Sequence, residues 1–266
     1  MKIGCCLNLL ATPEDPTGID QIEMLASLGY DYIELPMTKV MELSEDEFDA
    51  LCRRVKASGI PCRSFSNLLP GSVRVTGPNA DYDKLRAYLK TATDRARKIG
   101  ASVVVFGSPA ARNVEGDYPR ELAMVEFIKT LQIMDEFAGD DLPFAIEHVC
   151  KLEGNLVYTV EESCKVLEIL RTKHIGILAD TYHMAVEEEP LEHLQLAGGN
   201  LLHVHTANPT GRVYPAPGDG VDYEKLMRTL HAIGYTGGVS VEAFPNNPAE
   251  DARLALQALR QADHQN

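Results

Sequence analysis

Short apolar runs alternate along this chain with longer segments in which apolar residues recur every three or four positions. The short runs predict buried parallel strands, because a strand that is covered on both faces needs no polar alternation. The longer segments predict helices with one buried face. Strand, helix and a glycine stop follow one another about eight times, roughly once every 30 residues.

The predicted strands are Lys2–Asn8, Tyr32–Leu35, Cys62–Ser66, Ser102–Phe106, Pro143–Glu147, Ile175–Asp180, Leu201–His205 and Gly238–Glu242. The predicted helices lie between Ile19 and Gly29, between Ser44 and Gly59, over Tyr82–Ile99, over Arg120–Phe137, from Thr159 onward, over Leu191–Ala197, over Tyr223–Ile233 and over Pro248–Gln261. Ser44 with Glu47, and Thr159 with Glu162, have the spacing of a capping box that opens a helix.

This alternation is typical of a (β/α)8 TIM barrel, and we predict a single α/β domain over residues 1–266. About 250 residues is the usual size of such a barrel. The alternative is a doubly wound open sheet, which favours a glycine-rich phosphate-binding turn after the first strand. The sequence Cys6-Leu-Asn-Leu-Leu follows that strand instead, so we prefer the barrel.

Composition narrows the class of protein. Acidic residues outnumber basic ones by 39 to 25, which gives a formal net charge of −14. A nucleic-acid partner is therefore not expected, because binding to the phosphate backbone depends on clustered cations. No apolar stretch approaches the ~20 residues that cross a bilayer, and the N-terminus lacks the layout of a signal peptide. We expect a cytoplasmic protein with reduced cysteines and no membrane partner.

Polar side chains stand where the predicted strands end. In a barrel these ends meet at one face, where the active sites of such enzymes lie. The first four strands lead to Asn8, Glu34, Asn67 and Ser108, and the last four to Glu147, Asp180, His205 and Glu242. Three carboxylates and an imidazole form an oxygen and nitrogen ligand set that suits one divalent cation.

Four segments resemble a known family: Ala145-Ile-Glu-His148, Ala179-Asp-Thr-Tyr-His183, His203-Val-His-Thr206 and Val241-Glu-Ala-Phe244. The chain resembles the xylose isomerase-like TIM-barrel superfamily, in particular the sugar (phosphate) isomerase/epimerase branch that contains the ketose 3-epimerases. The resemblance covers nearly the whole chain. It implies one bound divalent metal ion, with manganese as the first expectation and cobalt, magnesium or zinc as alternatives. The ligands that it implies are Glu147, Asp180, His205 and Glu242.

The same resemblance implies that Glu147 and Glu242 also act as the acid/base pair. His183, Glu153 and Arg212 then correspond to substrate contacts. The epimerases commonly carry asparagine where this chain has Cys150, and Arg212 lies one residue later than in their pattern.

Four further features concern the mouth of the barrel. Asn67 and Ser108, at strand ends, are candidate substrate contacts. Arg112 follows the fourth strand, where its planar donor fork could hold a hydroxyl or a phosphate, with a surface salt bridge as the alternative. We expect His203 and His205 on opposite faces of their strand, with His203 packed behind His205 or supporting it. The segment 208–220, rich in proline and glycine, predicts an active-site loop.

We therefore predict a metal-dependent isomerase or epimerase of a sugar or sugar phosphate, which by resemblance is a homodimer or homotetramer. Two carboxylates would move a proton next to a carbonyl through an enediolate that the metal ion stabilises. A dehydratase or lyase acting on an inosose or keto-sugar could use the same groups. A non-catalytic carbohydrate-binding barrel is the alternative outside the enzymes. The apurinic endonucleases of this superfamily are excluded, because no histidine precedes His148 and the charge is acidic.

Overall fold

A computed structural model describes residues 1–264 as one closed barrel of parallel strands with helices around it. Each strand pairs with the next, and the first pairs with the eighth, which confirms the predicted (β/α)8 TIM barrel. Residues 265 and 266 of the predicted domain lie outside the described residues. The strands are β1 Lys2–Cys6, β2 Tyr32–Pro36, β3 Cys62–Ser66, β4 Val103–Phe106, β5 Phe144–Glu147, β6 Ile175–Asp180, β7 Leu201–Thr206 and β8 Gly238–Val241.

The helices begin and end close to the predicted signals. Ser44 and Glu47 form the predicted capping box, and Thr159 accepts a hydrogen bond from the backbone N–H of Glu162. The helices are α1 Ile22–Leu28, α2 Met37–Val40, α3 Glu45–Ser58, α4 Tyr82–Ile99, α5 Pro109–Arg112, α6 Arg120–Asp135, α7 Val160–Leu170, α8 Thr181–Val186, α9 Leu194–Ala197, α10 Tyr223–Ala232 and α11 Pro248–His264.

Two strands are shorter at their carboxyl ends than predicted. β1 ends at Cys6, and a 3-10 turn covers Asn8–Leu10. β8 ends at Val241, so Glu242 is the first residue beyond it. Both Asn8 and Glu242 therefore belong to the loops at the mouth of the barrel, where the backbone no longer has to follow the strand.

The apolar core has two layers. The larger layer lies between the strands and the surrounding helices, and includes Phe65, Phe106 and Phe127. The smaller one fills the lower interior of the barrel with Val103, Val105, Ala145 and Leu178. Nearer the carboxyl ends of the strands the interior becomes polar, and the buried groups there include Glu34, Glu147, Asp180, His203, His205 and Glu242. The fold thus concentrates buried charge at one end of the barrel.

The cysteines are free thiols, as expected, and four of them are buried. Among the described residues, no helix combines the length and the apolar character needed to cross a membrane.

Candidate metal centre and active site

A cavity of about 470 Å³ opens at the carboxyl ends of the strands. This volume lies within the range of small-molecule sites, about 300–1,000 Å³. The predicted site residues that line it are Asn67, Ser108, Glu147, Glu153, His183, Arg212 and Glu242.

The four expected metal ligands converge at the base of this cavity. One ligand atom from each residue lies within 4.8 Å of the others, and all four side chains are buried. Ligand atoms on opposite sides of one cation stand about 4–5 Å apart at the usual ligand distances. One ion can therefore reach Glu147, Asp180, His205 and Glu242 together.

The backbone holds two of these carboxylates in place. A Cβ atom at Gly107, directly after β4, would stand 2.1 Å from Glu147 Oε2, so the carboxylate occupies space that only glycine leaves open. Asp180 ends β6 and caps α8, because its Oδ1 accepts a hydrogen bond from the N–H of Tyr182 at 2.8 Å. One side of the Glu147 carboxylate is thus packed against Gly107, and one oxygen of Asp180 is held by a hydrogen bond. The other oxygen of each carboxylate is turned to the site.

His205 is held from the opposite side of the barrel by Glu34 on β2. Its Nε2 lies 3.1 Å from Glu34 Oε2, whereas its buried Nδ1 has no hydrogen-bond partner among residues 1–264. Nδ1 lies 3.6 Å from Glu147 Oε1 and 3.3 Å from Glu242 Oε2. An imidazole that donates its Nε2–H to a carboxylate presents a lone pair on Nδ1, as metal-binding histidines do. The donor set therefore fits a divalent cation.

Charge shapes the protonation of these groups. Burial would raise the pKa of Glu242, but the charges of His205 and Arg212 outweigh it and lower that pKa to about 2. Burial prevails at Asp180 and raises the pKa of its carboxyl group despite Arg212. Burial would lower the pKa of His205, yet Glu34 and Glu242 raise it well above the usual value. A cation must therefore compete with a proton for His205.

Arg212 contacts three carboxylates. One guanidinium nitrogen, Nη2, lies 2.6 Å from Glu242 Oε2 and 3.3 Å from Asp180 Oδ2. The other, Nη1, lies 3.0 Å from Glu153 Oε1. The guanidinium also stacks on Tyr182, 4.6 Å from the centre of its ring. Arg212 thus joins the expected ligands to a group at the edge of the cavity.

The loop 208–220 places Arg212 in the cavity. The N–H of Asn208 donates to the carbonyl of Val213 at 2.9 Å, and the N–H of Phe244 donates to the carbonyl of Arg212 at 2.8 Å. Arg212 itself adopts a left-handed backbone conformation, with φ of 50°. The loop is therefore folded against the end of β8, at the site where its length and composition predicted it.

His183 lies beside the expected metal ligands, with Nε2 3.6 Å from Asp180 Oδ2. Its buried Nδ1 has no hydrogen-bond partner in the described part of the chain. Burial lowers the pKa of His183, which favours a neutral ring. Cys150, Glu153 and His183 form a second group whose possible ligand atoms lie within 4.8 Å of one another. Glu153 is exposed, whereas all four residues of the other group are buried, so the four-ligand group is the better metal candidate.

The two neutral candidates form part of the cavity wall. Asn67 and Ser108 both have left-handed backbone conformations, with φ of 48° and 45°. The Oγ of Ser108 accepts a hydrogen bond from the N–H of Leu69 at 2.9 Å, and its own proton remains free to be donated. These residues can offer hydrogen bonds to a ligand without adding charge.

Arg112 does not reach the cavity, contrary to the expectation. It is 1% exposed, and its guanidinium donates to the carbonyl of Glu147 at 2.8 Å and to that of Phe106 at 3.4 Å. The rings of Phe106 and Phe127 pack against it. The single turn of α5 directs this side chain inward beneath β5, so its contacts support the backbone of Glu147. Arg112 therefore has neither of the expected roles, a substrate contact or a surface salt bridge.

His203 and His205 both point into the barrel, which corrects the prediction of opposite faces. Residues two apart in a strand share a face, and both rings contact Glu34. His148 supports the site from outside, because its Nε2 lies 3.3 Å from the N–H of Asp180 and its Nδ1 lies 3.2 Å from the carbonyl of Tyr158.

Glu34 was predicted only as a polar residue at a strand end, and its contacts with both histidines were not predicted. Tyr182 and Phe244 had no role in the sequence-based prediction, and both line the cavity. Each follows two residues after a predicted metal ligand, which is the available sequence signal. They provide aromatic surface in a chain that has no tryptophan.

Known proteins resemble this chain over most of its length. The model of the xylose isomerase-like TIM barrel family matches residues 22–262. The D-psicose 3-epimerase of Agrobacterium fabrum is 26% identical over 238 residues, which cover 84% of this chain and 78% of that protein. The inosose isomerase of Bacillus velezensis is 22% identical over 256 residues, which cover 90% and 88%. These names support the predicted class of sugar isomerase or epimerase.

Solved structures share the fold. The D-allulose 3-epimerase from Methylomonas sp. in complex with D-allulose has a TM-score of 0.85 at 22% identity, over 98% of this chain and 97% of that one. The IOLI protein with a binding zinc atom has a TM-score of 0.78 at 17% identity, over 100% and 99%. At these identities the structural likeness establishes the architecture alone. Because the family model spans nearly the whole chain, the protein belongs to the xylose isomerase-like TIM barrel family.

Proposed function

We propose that this protein is a metal-dependent epimerase that inverts a small, unphosphorylated ketose at the carbon next to its carbonyl. One observation carries the proposal. Glu147 and Glu242 face the same cavity from strands that have two other strands between them, beside a buried aspartate and histidine. Paired carboxylates of this kind suit proton removal and return.

Glu147, Asp180, His205 and Glu242 would hold the cation, for which manganese is the first expectation and cobalt, magnesium and zinc are alternatives. A bound divalent cation supplies Lewis-acid polarisation of a carbonyl oxygen. The low pKa of Glu242 keeps this carboxylate ionised at neutral pH, which is the form that a metal ligand and a general base both require.

The two glutamates would divide the proton transfer between them. Glu147 ends β5 and Glu242 follows β8, with β6 and β7 between them around the barrel. Their carboxylates can therefore approach one substrate carbon from different sides. One removes the proton next to the carbonyl, and the other returns a proton to the opposite face, which inverts the configuration. Return to the neighbouring carbon would instead isomerise a ketose to an aldose.

The charge of the cavity favours a neutral sugar over a sugar phosphate. Glu147, Glu153 and Glu242 line it, and Arg212 is the cation among its described lining residues. Arg212 already has ion pairs with Glu153 and Glu242. With Asp180 included, four carboxylates outnumber the charges of Arg212 and a bound divalent cation by one. A phosphate dianion would therefore still meet net negative charge, and this repulsion is unfavourable at short range. Arg112, the other candidate for phosphate binding, is buried behind the wall.

The wall of the cavity also suits a sugar. Tyr182 and Phe244 supply aromatic surface, and Phe244 is 52% exposed. Asn67 and Ser108 supply neutral hydrogen-bonding groups on the other side. Hydroxyl groups and C–H faces of a ketose would both find partners there.

Hydrogen exchange at the substrate carbon tests the proposal. The manganese-loaded protein would be incubated in heavy water with ketohexoses, ketopentoses, an inosose and their phosphates. We expect deuterium at the carbon next to the carbonyl of a free ketose, together with its epimer. Glu147→Gln and Glu242→Gln should each lower turnover by about 10²–10⁴-fold, the range for a lost acid/base group. Glu161→Gln, which removes an exposed carboxylate paired with Lys165, is the matched control.

Other outcomes would identify the alternatives. Epimer formed without deuterium uptake would indicate hydride transfer or bond cleavage instead of two-base exchange. Loss of water from an inosose would identify a dehydratase. Sugar binding without exchange or product, in the presence of any divalent cation, would identify a non-catalytic binding barrel.

A further inference from the structure

We propose that Glu34 and His203 form a positioning pair that fixes the ring of His205 and so sets the affinity of the four-ligand centre for its cation. The inference rests on the metal centre of the proposed function. It assigns a role to two residues that supply no ligand to that centre.

The pair is defined by a carboxylate between two imidazoles. Glu34 and both histidines are fully buried. Glu34 Oε2 lies 3.1 Å from His205 Nε2, and Glu34 Oε1 makes a short, direct hydrogen bond with His203 Nε2. Each oxygen of Glu34 is hydrogen-bonded to one ring. If either ring turned, a buried carboxylate oxygen would lose its partner. Such a loss costs about 1–3 kcal/mol, and more for a charged group.

The surroundings of His203 restrict the pair further. The Oγ of Ser240 lies 3.3 Å from His203 Nε2, and the same Oγ donates to the hydroxyl of Tyr32 at 2.8 Å. The rings of Tyr32 and His203 meet edge to face at 6.0 Å. His203 is thus packed among groups from β2 and β8, and it holds the oxygen of Glu34 that His205 does not contact.

Glu34, His203 and His205 have the residue types of a metal site themselves. The direct contact between Glu34 Oε1 and His203 Nε2 argues against an ion between them, because an ion stands about 2 Å from each ligand atom. The three side chains are therefore a hydrogen-bonded unit that adjoins the metal centre.

The hydrogen bond to Glu34 determines which nitrogen of His205 faces the metal centre. With Nε2–H donated to Glu34, Nδ1 is the nitrogen that can offer a lone pair to a cation, and it faces Glu147 and Glu242. Without Glu34, the proton could occupy Nδ1 and the ring could rotate. Loss of such an outer partner typically weakens metal binding about 10–100-fold.

Manganese binding to the purified chain tests the inference, with free Mn²⁺ measured by electron paramagnetic resonance. Glu34→Gln presents one oxygen and one NH2 group, so it can no longer accept from both rings. We expect the Kd for Mn²⁺ to rise about 10–100-fold. Ser64→Ala is the matched control, because Ser64 is a buried neighbour of Glu34 on β3. Its Oγ has no hydrogen-bond partner among the described residues. The Kd of this variant should equal that of the wild type.

Two further measurements separate positioning from fold stability. Thermal unfolding of the metal-free proteins reports any structural loss, and the visible spectrum of bound Co²⁺ reports ligand geometry in the folded protein. We expect an altered spectrum for Glu34→Gln. If that variant does not fold, His203→Gln is measured instead, with a smaller expected rise in Kd.

The possible failures are distinct. A folded Glu34→Gln variant with the Kd and Co²⁺ spectrum of the wild type would overturn the positioning role and leave the metal centre intact. A wild-type chain that binds no divalent cation would overturn the metal centre, and the positioning role with it. Failure of both variants to fold would assign the pair to stability, which also overturns the inference.

Discussion

The two halves of the barrel mouth differ in their chemistry. Strands β5 to β8 lead to charged groups whose ligand atoms lie within 4.8 Å of one another. Strands β3 and β4 lead to Asn67 and Ser108, which are neutral and line the cavity. The carboxylate of the first half, Glu34, is buried in the barrel and turned to His205 on β7.

This difference follows from the closure of the barrel. Ligands on consecutive strands are neighbours around the ring, so β5 to β8 can surround one ion. A strand on the other side reaches the same ion only through the interior, as β2 does through Glu34. The second half therefore supplies the expected reactive groups, and the first half supplies cavity wall and support.

Metal removal should have the largest effect, because it acts on the second half as a unit. Dialysis of the manganese-loaded protein against a chelator should abolish epimerisation and lower the melting temperature measured by calorimetry. A ligand present at about 100 times its Kd stabilises the native state by ~2.7 kcal/mol. Added Mn²⁺ should restore both properties. Full activity after removal of all divalent metal, verified by elemental analysis, would show that the groups from β5 to β8 do not act through a metal ion.

Arg212→Ala should have an intermediate effect that separates substrate binding from metal binding. A charged hydrogen bond contributes about 1.5–3 kcal/mol, so kcat/KM should fall roughly 10–100-fold. The affinity for Mn²⁺ should not fall, because Arg212 is a positive charge that now contacts Asp180 and Glu242.

Arg212→Lys serves as the control for charge, since it keeps a cation but loses the planar fork. It should recover only part of the lost activity. A folded Arg212→Ala protein that has lost its metal affinity would instead place Arg212 among the groups that hold the centre together.

Asn67→Ala changes the first half of the barrel mouth, and it should have the smallest effect. A neutral hydrogen bond contributes about 0.5–1.5 kcal/mol, so kcat/KM should fall roughly two- to tenfold. The Kd for Mn²⁺ should stay unchanged, and the melting temperature should fall slightly, because alanine fits the left-handed backbone of residue 67 less well than asparagine does. A loss of turnover as large as that of Glu147→Gln would show that the first half takes part in the chemistry.

Much of this architecture could be predicted because its signals are local. The apolar runs that end in Glu147 and Asp180 are contiguous in sequence, and strand order alone brings such ends to one face. The pairing of Glu34 with His203 could not be predicted in this way. These residues are 169 positions apart, and their contact depends on which strands face each other and on which side chains point inward.

The direction in which side chains beyond the strand ends point could not be predicted from the sequence either. Arg112 lies on the predicted face of the barrel, yet the turn of α5 directs it to the carbonyl of Glu147. Arg212 lies one residue later than the family pattern, and two consecutive left-handed residues, Gly211 and Arg212, still bring its guanidinium to the cavity. Backbone conformation decided both cases, and neither conformation is encoded in residue spacing.

The close approach between Gly107 and Glu147 also limits how this sequence can diverge. A side chain at position 107 would occupy the space of the carboxylate, since its Cβ would lie 2.1 Å from Glu147 Oε2. Because Oε2 is the end of a flexible side chain, an alanine at position 107 would require the Glu147 carboxylate to move from the place it holds in the ligand group. An alanine or larger residue at position 107 in a related chain would therefore indicate, from sequence alone, that this carboxylate stands elsewhere.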